Sequence, residues 1–195
     1  MVSRVSGREA WPEGHFIGGH PVLDLINTVF NRSEPLADNE LLASPADVLT
    51  WCVAAGVVDK PPRLTRPAAG LVDDVREVRE HAWAVFDAVA RGEPVPSARL
   101  GSLLARAGEG LCAGDVRDVD ADLAAAKWSA PTAIPSVLAV MAVQAFFTLP
   151  SERIRACDRC GWLFLDSSRG GRRRWCSMST CGNREKASRH RGAVS

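Results

Sequence analysis

Four cysteines near the C-terminal end constrain this chain more than any other feature of its sequence. They follow the pattern C-x2-C-x15-C-x4-C and are Cys157, Cys160, Cys176 and Cys181. Each close pair places two thiolates on one local turn, and the 15 residues between the pairs let the chain return to complete a tetrahedron. Four sulfur ligands leave no open coordination position. The pattern therefore predicts one structural Zn2+ ion rather than a catalytic metal.

Two alternatives for these cysteines stay open on the sequence alone. His190 is the only histidine nearby and can replace Cys181 as the fourth ligand. Cys157 and Cys160 can instead form a redox pair, although such a pair normally lies at the start of a helix in a βαβ unit, which the sequence does not indicate. The two remaining cysteines stand alone and are expected to be small, buried hydrophobic residues: Cys52 and Cys112.

The charge of the chain is divided unevenly along its length. The formal net charge is +1, but residues 151–195 hold 11 Lys and Arg against 4 Asp and Glu, a balance of +7, and residues 1–150 have a balance of −6. A short segment with this excess is a candidate polyanion-binding surface, and the alternative is a solvated basic tail. Guanidinium groups match phosphate oxygens in geometry, so we expect the basic cluster to contact nucleic acid.

The candidate nucleic-acid-binding residues lie before the third cysteine and after the fourth: Arg169, Arg172, Arg173, Arg174, Asn183, Arg184, Lys186, Arg189 and Arg191. Readout of bases needs side chains on an exposed helix face, and Asn183, Arg184 and Ser188 are the candidates, since Asn pairs with adenine and Arg with guanine. Asn183 has an alternative role, which is to buttress the zinc site through backbone hydrogen bonds. Trp175 is expected to pack over the metal site rather than to stack on bases.

The sequence pattern predicts a mainly α fold with a small β-hairpin. We expect a flexible tail over residues 1–13, a helical domain over residues 14–150 (the N-terminal domain), and a small, zinc-knuckle or treble-clef-like unit over residues 151–195 (the C-terminal module). Apolar periodicity and capping signals place the predicted helices at about residues 20–31, 45–55, 67–90, 97–107, 131–149 and 182–191. Residues 108–130 are assigned a hairpin that ends near Lys127–Trp128, and residues 162–165 a strand.

The first predicted helix carries a polar stripe opposite its apolar face. Asp24, Asn27 and Thr28 share this stripe. It is interpreted either as a solvated helix face or as a site of small-molecule or structural hydrogen bonds, and the small-molecule interpretation makes these residues a candidate effector site.

Several classes of protein do not fit the sequence. The longest strongly apolar stretch, Val137 to Leu149, has 13 residues, which is too short to span a bilayer. The N-terminal residues show no apolar signal segment, so we expect a cytoplasmic protein without a membrane association. The four histidines are scattered, and neither a G-x-S-x-G motif nor a phosphate-binding loop is present. We therefore expect no enzymatic activity.

Residues 157–191 closely resemble the CGNR zinc finger, whose name matches the run Cys181-Gly182-Asn183-Arg184. The matching features include the first cysteine pair, Trp162 to Asp166, the arginine cluster and Trp175 to Met178. The N-terminal domain resembles the mostly helical ABATE domain that usually precedes this finger, on the strength of residues 19–29, Ser44-Pro45 and Trp51.

The resemblance implies a bacterial transcription regulator of the stress response. Its zinc finger would bind DNA, and its N-terminal domain would sense a small-molecule effector or form a homodimer. An RNA-binding module and a zinc-stabilised protein-interaction module are the alternatives.

Overall fold

A computed structural model describes residues 11–34, 39–58, 70–117, 127–128 and 130–192 of the chain. In this part of the chain there are six α-helices: α1 (Pro21–Ile26), α2 (Pro45–Ala54), α3 (Leu71–Arg91), α4 (Ser97–Cys112), α5 (Ile134–Thr148) and α6 (Asn183–Gly192). There are also four short strands: β1 (Val116–Arg117), β2 (Lys127–Trp128), β3 (Ile154–Ala156) and β4 (Leu163–Leu165). The predicted mainly α fold is confirmed, with two two-stranded antiparallel sheets instead of one.

The centre of the N-terminal domain is α5. Ten of its residues are buried, and it packs against both α3 and α4. A short 3-10 turn, Pro131–Ala133, extends the helical segment beyond the 13 apolar residues counted in the sequence. Among the described residues, Pro131–Thr148 is long and apolar enough, by length and composition, to cross a membrane, but most of it is buried inside the protein. A helix at the centre of a protein core meets the same test, so its apolar surface is accounted for by packing.

Helix α4 is longer than predicted, because the glycines that were expected to follow its end lie inside it. The sequence indicates an end near Ala107, since Gly108 and Gly110 follow. The helix instead continues to Cys112, and a Cβ at Gly110 would collide with the side chain of Ser136 on α5. The glycine therefore permits the close approach of α4 and α5. Cys112 is exposed at the end of this helix, so its predicted burial is wrong, whereas Cys52 is buried as predicted.

Other local predictions are confirmed or corrected at the helix ends. Ser44 and Asp47 form the predicted capping box of α2, with Asp47 accepting from the Ser44 backbone at 2.8 Å. Helix α3 ends at a left-handed glycine, Gly92, close to the predicted end. The hairpin predicted within residues 108–130 pairs Val116 with Trp128. Its connection lies outside the described residues.

The predicted flexible tail is wrong for the part of it that the structure describes. Trp11 is 6% exposed, and its indole N–H donates to the Thr50 hydroxyl at 3.2 Å. The ring of His15 lies edge-on to Trp11 and to Trp162 of the C-terminal module. Burial lowers the pKa of His15, which favours the neutral ring. The remaining ten residues of the predicted tail lie outside the described part of the chain.

The C-terminal module is built on the hairpin β3–β4, in which Ile154 pairs with Leu165 and Ala156 with Leu163. Ile154 and Leu163 are buried in the same hydrophobic core as the N-terminal domain. The boundary predicted at residue 150 therefore separates two sequence regions whose apolar side chains share one core. This sharing holds the metal-binding half of the module, Cys157 to Cys181, against α1 and the loop that follows it.

Candidate metal centre and basic surface

The four predicted ligands come together in one cluster. The sulfur atoms of Cys157, Cys160, Cys176 and Cys181 all lie within 4.8 Å of one another. The Sγ atoms of Cys160 and Cys176 are 3.7 Å apart, as are those of Cys176 and Cys181. Tetrahedral zinc with Zn–S bonds of 2.3 Å requires sulfur–sulfur distances of about 3.8 Å. The cluster therefore fits one structural zinc ion held by four cysteines, as predicted.

The electrostatics of the cluster favour a cation. Hydrogen bonds from three neighbouring thiols lower the pKa of Cys157, and hydrogen bonds with Cys157 in turn raise the pKa of Cys160 and of Cys176. Four sulfurs at this distance cannot all ionise without a positive charge between them. Zinc supplies that charge and replaces the protons of the four thiols.

Both sequence alternatives for the cysteines are wrong. His190 is exposed on α6 and is not part of the ligand cluster, so it does not replace Cys181. The turn that carries Cys157 and Cys160 joins two antiparallel strands, whereas a redox pair would begin a helix.

The first cysteine turn rests against the loop after α1. Gly161, which follows Cys160, has a φ of +71°, and a Cβ there would lie 3.1 Å from the Cβ of Arg32. The backbone N–H of Arg32 donates to the carbonyl of Cys160 at 3.0 Å. Arg32 is in turn held by two hydrogen bonds to Glu80 on α3, at 3.0 and 3.1 Å. The N-terminal domain thus positions one of the two zinc-binding turns.

Strand β4 is fixed to α1 by a second set of bonds. The Asn27 side chain donates to the Leu163 carbonyl at 2.8 Å and accepts from the Leu163 N–H at 2.9 Å. The indole N–H of Trp162 donates to the Val29 carbonyl at 2.7 Å, and the Leu165 N–H donates to Gly18 at 2.8 Å. We call these contacts, together with those of the Arg32 loop, the interdomain interface.

The polar stripe of the first helix belongs to this interface and is not a solvated face. Asp24, Asn27 and Thr28 are 7%, 2% and 2% exposed. The Asp24 carboxylate accepts from the Gly18 N–H at 2.7 Å, and burial raises the pKa of Asp24 to about 6. The Thr28 hydroxyl donates to Leu25 and accepts from Arg79. An effector at these residues remains a prediction, and it would have to displace these bonds.

Helix α1 ends at Ile26, five residues earlier than predicted, because the residues that follow it bond to other segments of the chain. Asn27 turns its side chain to β4, and Val29 pairs with Glu40 in an isolated β-bridge. Glu40 also makes two 2.7 Å bonds to the guanidinium of Arg79, which is 3% exposed. The sequence pattern of residues 20–31 carries no sign of these distant partners.

The arginine loop before Cys176 is organised by Asp166. Its buried carboxylate accepts from the backbone N–H groups of Ser168 and Arg173 at 2.9 and 2.8 Å. Hydrogen bonding from Ser168, aided by that of Arg173, lowers the pKa of Asp166 to about 2. Asp166 belongs to the residues that carry the family resemblance, but no local sequence pattern indicates this role.

The predicted nucleic-acid-binding residues do not form one uniform surface. Arg173 lies over the ring of Phe164 and donates to the Cys176 carbonyl at 2.6 Å, so this side chain supports the metal site. Arg174 is exposed but pairs with Asp158 at 2.7 Å. Four cations are exposed and make no ion pair among the described residues: Arg169, Arg172, Arg184 and Lys186. The side chains of Arg189 and Arg191 lie outside the described set.

The structure also shows the surroundings of Asn183 and Trp175, for which the sequence left two roles open. Asn183 is exposed, and its amide makes one hydrogen bond, to the Ser179 carbonyl at 3.4 Å, which is at the long limit for such a bond. Trp175 is half-buried, beside Gly182 and under the guanidinium of Arg174. Its position agrees with packing over the site rather than with an open stacking platform.

A cavity of about 470 Å3 opens beside the cysteines. Phe30 and Trp162 form part of its wall, and Arg184 and Glu185 form another part. Asp24, Asn27 and Thr28 do not line it, so the cavity gives no support to an effector site at those residues.

Two family models match the chain, and they meet close to residue 150, where the acidic N-terminal region gives way to the basic C-terminal region. Residues 19–152 match the sequence model of the ABATE family, described as "Putative stress-induced transcription regulator". Residues 153–192 match that of the CGNR zinc finger. No curated protein and no solved structure matches the chain.

Proposed function

The chain belongs to the ABATE family and contains a CGNR zinc finger, and from that premise we propose that it is a transcription regulator that binds duplex DNA. The C-terminal module makes the DNA contact. The N-terminal domain senses an effector or forms a homodimer, and it holds the module in place through the interdomain interface. A cytoplasmic location is part of this proposal.

The proposal rests on one observation: some cations of the C-terminal module bond to other groups of the protein, and others are exposed without an ion pair. Most of its described arginines are used inside the protein, as Arg153 and Arg155 are in bonds to loop carbonyls and Arg159 is in a pair with Glu185. Among the described residues of the module, the exposed cations without ion pairs are those available to a partner: Arg169, Arg172, Arg184 and Lys186. Phosphate groups suit such side chains.

The aromatic residues of the module favour duplex DNA over single-stranded RNA. Unpaired bases are bound by stacking on exposed rings. Among the described residues of the module, Trp162 and Phe164 are buried and Trp175 is half-buried. The module therefore lacks an open stacking platform in its described part, and binding through phosphates and groove edges is favoured.

The test is fluorescence anisotropy of the zinc-loaded protein on labelled duplex from its own upstream region, over a series of salt concentrations. Four phosphate contacts predict a log–log salt slope of about −3.6. Scrambled duplex and single-stranded RNA serve as competitors. Preference for the native duplex supports the proposal. Preference for the RNA, or weak binding that does not depend on sequence, would contradict it and would favour an RNA or a protein partner.

Paired variants sharpen the test. Arg169→Ala with Arg172→Ala should weaken duplex binding and reduce the magnitude of the slope by about 1.8. Arg99→Ala with Arg117→Ala is the matched control, since it removes the same charge from exposed positions of the N-terminal domain. Equal effects of the two double variants would remove the arginine loop from the contact surface.

A further inference from the structure

We infer that α6 is a recognition helix that enters the major groove of duplex DNA, with the face formed by Asn183, Ala187 and His190 against the base edges. This inference rests on the proposed function and deepens it. It assigns a reading role to one face of a helix and a phosphate role to the two flanks of that face. It differs from the sequence-based candidates by including Ala187 and His190 and by moving Arg184 to a flank.

Helix α6 is exposed over most of its surface. Six of its described side chains are exposed: Asn183, Arg184, Lys186, Ala187, Ser188 and His190. Glu185 is half-buried and pairs with Arg159 at 3.3 Å. Glu185 therefore marks the side of the helix that faces the protein. A helix that is polar nearly all round gains little from packing against its own chain, so its exposed side chains are available to a partner.

The helix period then defines the opposite face. At 100° per residue, Asn183, Ala187 and His190 lie roughly 140–200° around the axis from Glu185. Lys186 lies roughly 100° from Glu185 in one direction, and Arg184 the same angle in the other. Among the described side chains, the outward face thus carries no Lys, Arg, Asp or Glu and has one cation on each side. This arrangement matches a groove in which bases form the floor and phosphates form both walls.

The side chains on the outward face suit base edges. The Asn183 amide oxygen accepts no hydrogen bond within the described chain, and its nitrogen makes one long bond. Asn can therefore donate to N7 and accept from N6 of adenine. Ala187 adds one methyl group, so the helix backbone can approach the floor of the groove closely. A helix of this diameter, about 10–12 Å, fits the major groove, which is about 12 Å wide.

The metal site orients the helix. The π-helical turn Met178–Gly182 contains the ligand Cys181 and runs directly into α6, so the helical segment begins at Met178. Zinc bound to four thiolates leaves a net negative charge, which favours the positive N-terminal end of the helix beside it. Base-reading residues in helix-turn-helix proteins also lie at the N-terminal part of the inserted helix. The residue best placed for this role is Asn183, the first of α6.

The test begins with selection of the preferred site from a random duplex library, using the zinc-loaded full-length protein. Asn183→Ala should then lose preference at one base pair by about 5- to 150-fold, with the salt slope unchanged. Lys186→Ala and Arg184→Ala should instead weaken all sequences alike and reduce the magnitude of the slope by about 0.9 each. Zinc content and circular dichroism verify that each variant is folded.

A second variant tests insertion of the helix itself. Ala187→Glu places a bulky anion at the centre of the outward face and should weaken specific binding by about 30-fold or more. Ala105→Glu is the matched control, because Ala105 is an exposed alanine of α4 in the N-terminal domain.

The outcomes separate the inference from the proposed function. Specific binding by the wild type with no effect of Asn183→Ala and Ala187→Glu would overturn the recognition helix and leave the DNA-binding regulator intact. Failure of the wild type to bind duplex at all would overturn both. Loss of zinc from Ala187→Glu would leave the decision to Asn183→Ala, whose side chain is exposed and lacks a strong internal bond.

Discussion

The two regions of this protein are stabilised in different ways. The N-terminal domain buries a large apolar cluster around α5. The metal-binding part of the C-terminal module has a much smaller cluster, in which Trp162 and Phe164 surround three of the cysteines. Domains of about 40 residues rarely stand on apolar burial alone and usually need a metal or disulfides. One chain therefore combines a domain stabilised by apolar burial with a module stabilised by a bound zinc ion.

The two regions are nevertheless not independent. Asn27, Arg32 and Gly18 bind the backbone of residues 160–165 across the interdomain interface. A change in the metal site can therefore reach α1 and α3 through hydrogen bonds. The following predictions test how far the two regions can be separated, from the largest expected effect to the smallest.

Cys160→Ser should have the largest effect, because three sulfurs cannot complete the tetrahedron. Binding of structural zinc contributes on the order of 10 kcal/mol to folding in small zinc modules. We expect the variant to lose zinc and the C-terminal module to unfold, while the N-terminal helices remain. Metal analysis and heteronuclear NMR spectra of the full chain measure the two parts separately.

Two controls accompany this prediction. Cys112→Ser changes an exposed cysteine outside the cluster and should leave zinc binding unchanged. Leu138→Ala, at a core position that is 1% exposed, should reduce the stability of the N-terminal domain by about 2–5 kcal/mol without removing zinc. Full zinc occupancy in Cys160→Ser would end the assignment of four cysteine ligands.

Asn27→Ala should uncouple the two regions. It leaves both the N–H and the carbonyl of Leu163 without their side-chain partner in a buried position. The expected loss of stability is about 2–4 kcal/mol. Transfer of zinc to a chelator should also become faster, since β4 is no longer fixed to α1.

Asp47→Ala is the matched control for this uncoupling. Asp47 is a buried polar residue whose bonds to Ser44 cap α2 and do not reach the module. It should cost about 1 kcal/mol with no change in the rate of zinc transfer. If both variants released zinc at the same rate, the interdomain interface would not be the route of coupling.

Asp24→Asn should produce a smaller effect that depends on pH. Burial raises the pKa of Asp24 to about 6, above its ordinary value, so the ionised carboxylate destabilises the folded state. This cost is absent below about pH 4 and is complete above about pH 6, so stability is lost as the pH rises through that window. Asn keeps an oxygen that accepts from Gly18 but carries no charge.

The variant should therefore be more stable than the wild type at pH 8, and its advantage should grow by about 1 kcal/mol between pH 5 and pH 8. Urea unfolding of both proteins at each pH measures this difference, in which the pH dependence of zinc binding cancels. A constant difference over the range would mean that Asp24 is already ionised in the folded state at pH 5, so that burial does not raise its pKa into this window.

Local sequence chemistry determined much of this protein. The spacing of the four cysteines predicted the metal centre, because ligands for one tetrahedron must come from two tight turns. The Ser44–Asp47 capping box and the apolar stripe of α3 predicted helices correctly, because the interactions responsible lie within one or two turns. The basic character of the C-terminal module was equally evident from composition.

Tertiary structure alone decided the roles of the residues whose partners are distant in the chain. Asn27 meets Leu163 across 136 positions, and this contact decides that the helix stripe, which can be solvated, ligand-binding or structural on the sequence alone, is part of an interface. Gly110 reads as a helix end and instead allows α4 to approach Ser136. Arg173 looks like its neighbour Arg172, yet one turns to Phe164 and the other to solvent. Burial and hydrogen bonding depend on which segments meet, and no local pattern contains that information.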